Sequence, residues 1–362
     1  MRRSRVLIVD DSALMRELLG NILRSATDLE VVGAARDPAQ ALPMLERLKP
    51  NVMTLDVEMP GCDGLTFLGE VMRSHPLPVV MISSLTERGS DLALRALELG
   101  AIDVVGKPKL DLKAGVMQQA DELLAKVRAA ASARVRTAGV RPVTPIEVGA
   151  VSTKSPGRAV GTAATSTHSQ TRVIAVGAST GGTEALADFL SALPADSPPV
   201  LVVQHMPERF TGKFAKRLDS MCRIRVREAS DRDQVLPGTA LVAPGGKHMR
   251  LASGPTSLVV RLHSEPNSAH RPSVDELFES VAAIAVSRSI GVILTGMGAD
   301  GARGLLAMRR AGAHTFAQDE ESCVVFGMPK EAIARGAVER ILPLSGLARA
   351  VVQCSIRSSR SE

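Results

Sequence analysis

The chain has 362 residues, 45% hydrophobic and 23% charged, which suits a globular protein long enough for two domains with separate cores. It lacks Trp and Tyr, which disfavours nucleic-acid readers that stack bases on aromatic side chains. The formal charge of +6 equals the basic surplus between Lys126 and Arg158, so it marks a connector and not a basic binding face on either domain.

Cys62, Cys222, Cys323 and Cys354 are scattered without a C-x-x-C pair, which argues against a disulfide framework or a thiolate zinc site and for a reducing cytoplasm. The apolar run after the basic start is cut short by Asp10 and Asp11, too early for a signal-peptide core. No stretch approaches the ~18 apolar residues of a membrane span.

From Arg5 short apolar runs alternate with helical patterns. Val6 to Val9, Val31 to Ala34, Val52 to Leu55, Val79 to Ile82 and Ile102 to Val105 read as buried strands, and Leu14, Leu18, Leu19, Ile22 and Leu23 form a helical stripe between the first two. Repeated βα units predict a parallel sheet covered by helices on both faces, with any ligand at the carboxyl ends of the strands. Asp10 and Asp11 follow the first strand, Asp56 the third, Ser83 and Ser84 the fourth, and Lys107 the fifth. Converging carboxylates repel one another unless a cation lies among them, and hard oxygen ligands suit Mg²⁺. With Lys107 and a Ser hydroxyl, that cation would neutralise a phosphoryl group in transfer, with Asp56 as its acceptor.

A terminal helix is expected around Asp111 to Val127. Ala129 to Gln170, rich in Ala, Ser, Thr, Pro, Gly and Arg, reads as a flexible linker. It offers neither aromatics nor an amphipathic face for RNA or a membrane.

The second half opens on Val173 to Glu184, V-I-A-V-G-A-S-T-G-G-T-E. An apolar strand followed by an Ala-rich helix puts Ser179 on the tight turn between them, where glycines allow a sharp bend and helix-opening N–H groups can stabilise an oxyanion. An isolated G-x-S-x-G match can equally be a plain helix cap. Val200 to Val203 is a second strand, ending in Gln204 and His205, and Ile290 to Leu294 is another, leading to Asp300. Between them, Arg225 to Ala252 alternates apolar runs with Pro-Gly turns and predicts a small antiparallel insertion, and Ser273 to Ser287 a helix.

Serine, histidine and aspartate after three strands of one α/β sheet can meet in a common crevice. There His205 would take the Ser179 proton and Asp300 would fix the imidazole. The order Ser, His, Asp differs from the Ser, Asp, His of α/β-hydrolases, and His248, His263 and His270 are rivals for the base. G-M-G-A-D-G from Gly296, with Asp319 about twenty residues on, also matches a dinucleotide fingerprint. Against that reading, Asp300 would repel a pyrophosphate, and Ser179 stands where the other glycine loop would need its second glycine.

Residues Arg5 to about Lys126 resemble the receiver domain of bacterial response regulators, through D-D at Asp10 and Asp11, D-V-E-M-P from Asp56, S-S at Ser83 and K-P at Lys107. The resemblance implies phosphorylation of Asp56 by a histidine kinase, Mg²⁺ held by Asp10, Asp11 and Asp56, and phosphoryl contacts from Ser83 and Lys107. Val104 departs from the pattern, because many receivers carry a mobile aromatic there.

From Arg172 to about Val352, the motifs G-A-S-T-G-G-T-E-A, Q-H-M-P, A-P-G-G-K-H-M, H-R-P-S-V-D, I-L-T-G-M-G-A-D-G and C-V-V-F-G-M-P resemble the catalytic domain of the chemotaxis protein-glutamate methylesterase family. That resemblance implies a Ser179, His205, Asp300 triad, oxyanion donors from the backbone of Thr180 and Met297, and no cofactor in the esterase site. Ala299 stands where relatives often carry a polar residue.

The expected architecture is α/β throughout: a flavodoxin-like (βα)5 receiver over 1–127, a basic linker over 128–170, and a doubly wound, mostly parallel methylesterase domain over 171–356. The implied substrates are glutamate methyl esters, and glutamines for deamidation, on chemoreceptors. The expected setting is a cytoplasmic monomer associating with receptor arrays, without nucleic-acid binding or membrane insertion. As a further expectation, the unphosphorylated receiver covers the Ser179 crevice.

Overall fold

The computed structural model describes residues 3–59, 62–84, 86–107, 113–133, 172–265 and 270–357. Two parallel sheets organise it. The first is built from β1 (Ser4–Val9), β2 (Leu29–Ala35) and β3 (Val52–Asp56), with β4 (Glu58–Met59) and β5 (Cys62–Asp63) pairing as a short hairpin beside it, then β6 (Val79–Ser83) and β7 (Asp103–Gly106). Its strand order, β2-β1-β3-β6-β7, reverses between β1 and β3. That switch point brings Asp10, Asp11 and Asp56 to one edge.

The helices of this half are α1 (Ala13–Arg24), α2 (Pro38–Leu48), α3 (Gly64–Ser74), α4 (Glu87–Glu98) and α5 (Lys113–Ser132). Ser12 and Asp37 cap α1 and α2 by accepting the backbone N–H groups of Met15 and Gln40. Helix α5 continues past the expected end at Val127 to Ser132, with Ala129 and Ala130 buried. Of the expected linker, residues 134–170 lie outside the described residues, as does Asp111 of the expected helix start.

The second sheet contains β8 (Val173–Ala178), β9 (Val200–Gln204), β10 (Arg225–Glu228) and β11 (Thr239–Val242). A hairpin, β12 (His248–Ser253) with β13 (Leu258–His263), precedes the remaining sheet strands β14 (Ser289–Ile293), β15 (His314–Gln318) and β16 (Arg340–Leu342). The sheet runs β10-β11-β9-β8-β14-β15-β16, and each neighbouring pair is parallel.

The expected antiparallel insertion over Arg225 to Ala252 is therefore corrected. Its first two runs are parallel edge strands, and only the hairpin from His248 is antiparallel. Strand β10 alternates exposed and buried residues because it is an edge with one solvated face, which imitates an antiparallel pattern.

Helices α6 (Gly182–Ser191), α7 (Glu208–Met221), α8 (Val274–Ile284), α9 (Ala302–Arg310), α10 (Met328–Ala334) and α11 (Leu344–Arg357) complete this half. Strand β8 lies at the switch point: the chain first builds β9 to β11 on one side, then returns to lay β14 on the other. The carboxyl ends of β8, β9 and β14 consequently face one crevice. Apolar residues of α4 and of α6 and α7 share one continuous buried cluster, so the halves meet through packed side chains.

Candidate active site

Ser179 leaves β8 and is followed by a turn that Gly181 makes at φ 75°, a left-handed conformation ahead of α6. A side chain at Gly181 would also place its Cβ 2.5 Å from Val324 Cβ. The Ser179 backbone is fixed on both sides: its N–H donates to Thr295 O at 3.1 Å, and its carbonyl accepts from Gly182 N at 2.7 Å and Gln204 Nε2 at 2.9 Å. A Cβ at Gly296 would lie 2.8 Å from Ser179 Cβ, so the β14 loop carrying Met297 runs directly beside the serine. Among the described residues, the backbone N–H groups of Thr180 and Met297 donate to no backbone carbonyl.

His205, at the end of β9, reaches Ser179 Oγ through Nδ1 at 3.2 Å and Asp300 Oδ2 through Nε2 at 2.8 Å. The expected trio thus meets, with the ring used in the opposite sense to the familiar assignment in which Nε2 faces the serine. Asp300 lies on the loop after β14. Its Oδ1 accepts from Ser273 Oγ at 2.8 Å and Asp275 N at 3.0 Å, and its Oδ2 accepts from Val274 N at 2.7 Å. These donors open α8, whose N-terminal dipole favours a carboxylate. Burial alone would raise the Asp300 pKa, but the His205 contact and the Asp275 and Val274 N–H groups outweigh it and hold the carboxyl well below its usual range.

This arrangement disposes of the rivals. His248 accepts the Ser273 N–H at 3.2 Å and stacks on His263 at 5.4 Å. His270 stacks on His205 with centroids 4.1 Å apart. Although part of its ring meets solvent, partial withdrawal from water, with the neighbouring His205, pushes its pKa down to about 4. The Gly296 to Gly301 loop holds no phosphate cradle, because Asp300 fills its α8 side, and Asp319 closes a local turn by accepting from Ser322.

The α8 clamp on Asp300 was missed by sequence reasoning. Its signal is the S-x-x-E capping box at Ser273 and Glu276, in which Glu276 N donates to Ser273 Oγ.

In the other half, carboxylate oxygens of Asp10, Asp11 and Asp56 lie within 4.8 Å of one another. Lys107 Nζ sits 2.7 Å from Asp56 Oδ2. Burial, then Asp56, raises the Asp10 pKa to about 6, and burial raises that of Asp56 despite Lys107. Asp10 Oδ2 is buried with no hydrogen-bond partner among the described residues. A buried carboxylate oxygen without a donor, beside two further carboxylates, fits a hard divalent cation. The Ser83 hydroxyl, on the strand beside Asp56, is turned to the carbonyls of Gly89 and Ser84 at 3.0 and 3.1 Å.

One cavity wall joins the halves. Leu97, Asp103 and Val104 line the same cavity as Ser179 and His205. Asp103 Oδ2 accepts from Thr180 Oγ1 at 2.7 Å, in a buried contact immediately beside the nucleophile. The other oxygen of Asp103 takes Lys126 Nζ at 3.0 Å. Burial works against the Lys126 charge, yet Asp103 and then Glu122 keep its pKa above the ordinary lysine value.

A receiver-type sheet lying over a serine–histidine crevice is the layout of a response regulator whose output domain is an esterase. Family models agree: CheB methylesterase matches residues 174–351, and response regulator receiver domain matches residues 6–116. The chain is 55% identical over 348 residues to protein-glutamate methylesterase/protein-glutamine glutaminase 1 of Geobacter metallireducens, covering 95% of this chain and 94% of the relative. It is 52% identical over 353 residues to protein-glutamate methylesterase/protein-glutamine glutaminase 2 of Cupriavidus pinatubonensis, covering 96% and 95%. The crystal structure of the Thermotoga maritima CheB methylesterase catalytic domain matches with 38% identity and a TM-score of 0.50, covering 51% of this chain and 98% of that one. The chain belongs to the protein-glutamate methylesterase/protein-glutamine glutaminase family.

Proposed function

We propose that the chain hydrolyses glutamate γ-methyl esters on chemoreceptors, and deamidates receptor glutamines, at Ser179, under control of phosphorylation at Asp56. The observation that carries the reading is the Ser179–His205–Asp300 chain of contacts at 3.2 and 2.8 Å. His205 Nδ1 takes the proton as Ser179 Oγ attacks the ester carbonyl. The N–H groups of Thr180 and Met297 receive the developing oxyanion, and Asp300 stabilises the imidazolium through Nε2–H. Methanol, or ammonia from a glutamine, leaves with the proton from His205. Water deprotonated by His205 then releases the glutamate and restores Ser179.

In the receiver, Asp56 accepts a phosphoryl group from the chemotaxis histidine kinase, and Asp10, Asp11 and Asp56 would hold Mg²⁺. Bound there, the cation would offset charge on the phosphoryl oxygens. Lys107 contributes a further positive charge, and Ser83 contributes its hydroxyl once it turns from the Gly89 carbonyl. Phosphorylation favours a state in which the receiver withdraws from Ser179; the Asp103–Thr180 contact and the shared cavity wall support the covered state as the resting one. No helix among the described residues is long and apolar enough to cross a membrane, and the reading assigns the chain to the cytoplasm, as a monomer at receptor arrays.

The test is methanol release from methyl-labelled receptor, with and without acetyl phosphate. Release that acetyl phosphate stimulates in the wild type but not in Asp56→Asn supports the reading. No release under either condition contradicts it.

A further inference from the structure

We infer that the face of α7 carrying Lys213 and Arg217 is the docking surface for an acidic helical segment of the substrate protein, and that α4 occupies it as a stand-in while the chain is closed. This rests on the esterase reading of Ser179.

Helix α7 starts directly after His205, Met206 and Pro207, and its first turn reaches the catalytic cavity, where Phe210 joins Ser179 and His205 in the wall. One turn further, Lys213 and Arg217 follow at i and i+4 spacing, so both cations share one face leading away from the nucleophile. Across from them lies α4. Lys213 Nζ meets Asp91 Oδ1 at 2.7 Å, and Arg217 Nε lies 2.7 Å from Glu98 Oε1 as an ion pair whose N–H is not aligned for a hydrogen bond. Arg217 is also held from its own domain by Glu184 at 2.9 Å, so its guanidinium is positioned independently of α4.

Asp91 and Glu98 are spaced i, i+7 on α4, and between them Leu97 extends into the cavity beside Ser179. A helix with flanking carboxylates and one side chain entering the nucleophile's cavity has the layout a substrate helix needs. The chemistry of the reaction points to the same occupant. Each turnover creates a carboxylate on the substrate protein, so a segment with several modifiable positions presents neighbouring glutamates. Two positioned cations beside the cavity match them.

Ion pairs of this kind add little affinity alone. They set register and encounter rate, which a helix that must place one side chain at Ser179 requires.

The test uses the full chain carrying Lys213→Ala and Arg217→Ala together, phosphorylated with acetyl phosphate. It is assayed on methylated receptor and on the γ-methyl ester of N-acetylglutamate. Loss of two such pairs should raise the KM for receptor about five- to tenfold and flatten its dependence on salt, while turnover of the small ester matches the activated wild type. Without phosphorylation the same variant should hydrolyse the small ester faster than wild type, because α4 has lost its seat. Pairing Lys213→Glu with Asp91→Lys should restore the low resting rate and leave the receptor KM raised.

An unchanged receptor KM, or equal loss on both substrates, overturns the inference. If Ser179→Ala itself still releases methanol, the esterase reading fails instead, which keeps the two failures distinct.

Discussion

Replacing Thr180 with valine removes one hydroxyl and keeps the β-branched shape. In the closed chain that hydroxyl donates at 2.7 Å to Asp103, a carboxylate buried with Lys126 on its other oxygen and the Val104 N–H at 2.8 Å. Asp103 keeps these partners in the variant, so the receiver is not left with a stranded charge. Alanine at Asp103 would instead leave the buried Lys126 with Glu122 at 3.3 Å as its remaining carboxylate, a loss of up to the 3 to 5 kcal/mol, roughly, that breaking a buried pair outright costs.

A hydrogen bond to a charged group contributes about 1.5 to 3 kcal/mol. Its loss moves the closed-to-open equilibrium about 10- to 150-fold toward open, at about 1.4 kcal/mol per tenfold change. The assay is methanol release from methylated receptor before and after saturation with acetyl phosphate, expressed as a ratio, so any effect of valine on the chemistry itself divides out. The stimulation ratio should fall by up to that factor, with unity as its floor. A ratio within about twofold of wild type, on the scale of this estimate, would refute the assignment of Asp103–Thr180 as a latch.

Other outcomes follow from the same geometry. Asp300→Asn removes the charge that stabilises the His205 cation and leaves one acceptor oxygen where two now receive the α8 donors, so the methanol-release rate should fall on the order of 10⁴-fold and the melting temperature should fall with it. Asp10→Asn, or chelation of divalent cations from the wild type, should abolish Mg²⁺-dependent uptake of labelled phosphoryl from acetyl phosphate, because the oxygen left without a donor is the one that fits the cation. His270 is held neutral down to about 4 against an ordinary 6.5, so the unfolded chain binds a proton that the folded chain excludes. Stability against urea should therefore decline as pH falls from about 6.5 toward about 4, and His270→Gln should make that decline shallower.

The active centre was legible because its parts sit at strand ends. A parallel strand announces itself as an apolar run, and the residue after the run lies at the carboxyl edge whatever the rest of the fold does. That logic located Asp10, Asp56, Lys107, Ser179 and His205 in β1, β3, β7, β8 and β9 order. It failed at β10 and β11, where short edge strands alternate like hairpin strands, and it did not anticipate β16, three residues long.

Which ring nitrogen faces Ser179 depends on backbone placement that no spacing encodes. The contact between Asp103 and Thr180 spans 77 residues and joins the two halves. Nothing in the local pattern of I-D-V-V-G-K distinguishes a latch from an ordinary strand start. The Asp300 clamp lies between these cases: the capping box at Ser273 was readable as a helix start, but not as a seat for a distant carboxylate.

The central claim is that Ser179 is the nucleophile, and its most direct measurement is methanol release from methyl-labelled receptor by Ser179→Ala beside the wild type, both saturated with acetyl phosphate. The alanine leaves the Thr295 and Gln204 backbone contacts of the turn in place, so the fold around His205 and Asp300 is preserved. Loss of the nucleophile should lower the rate on the order of 10⁶-fold, to the background of the assay. Methanol release by the alanine variant at the wild-type rate would contradict the account.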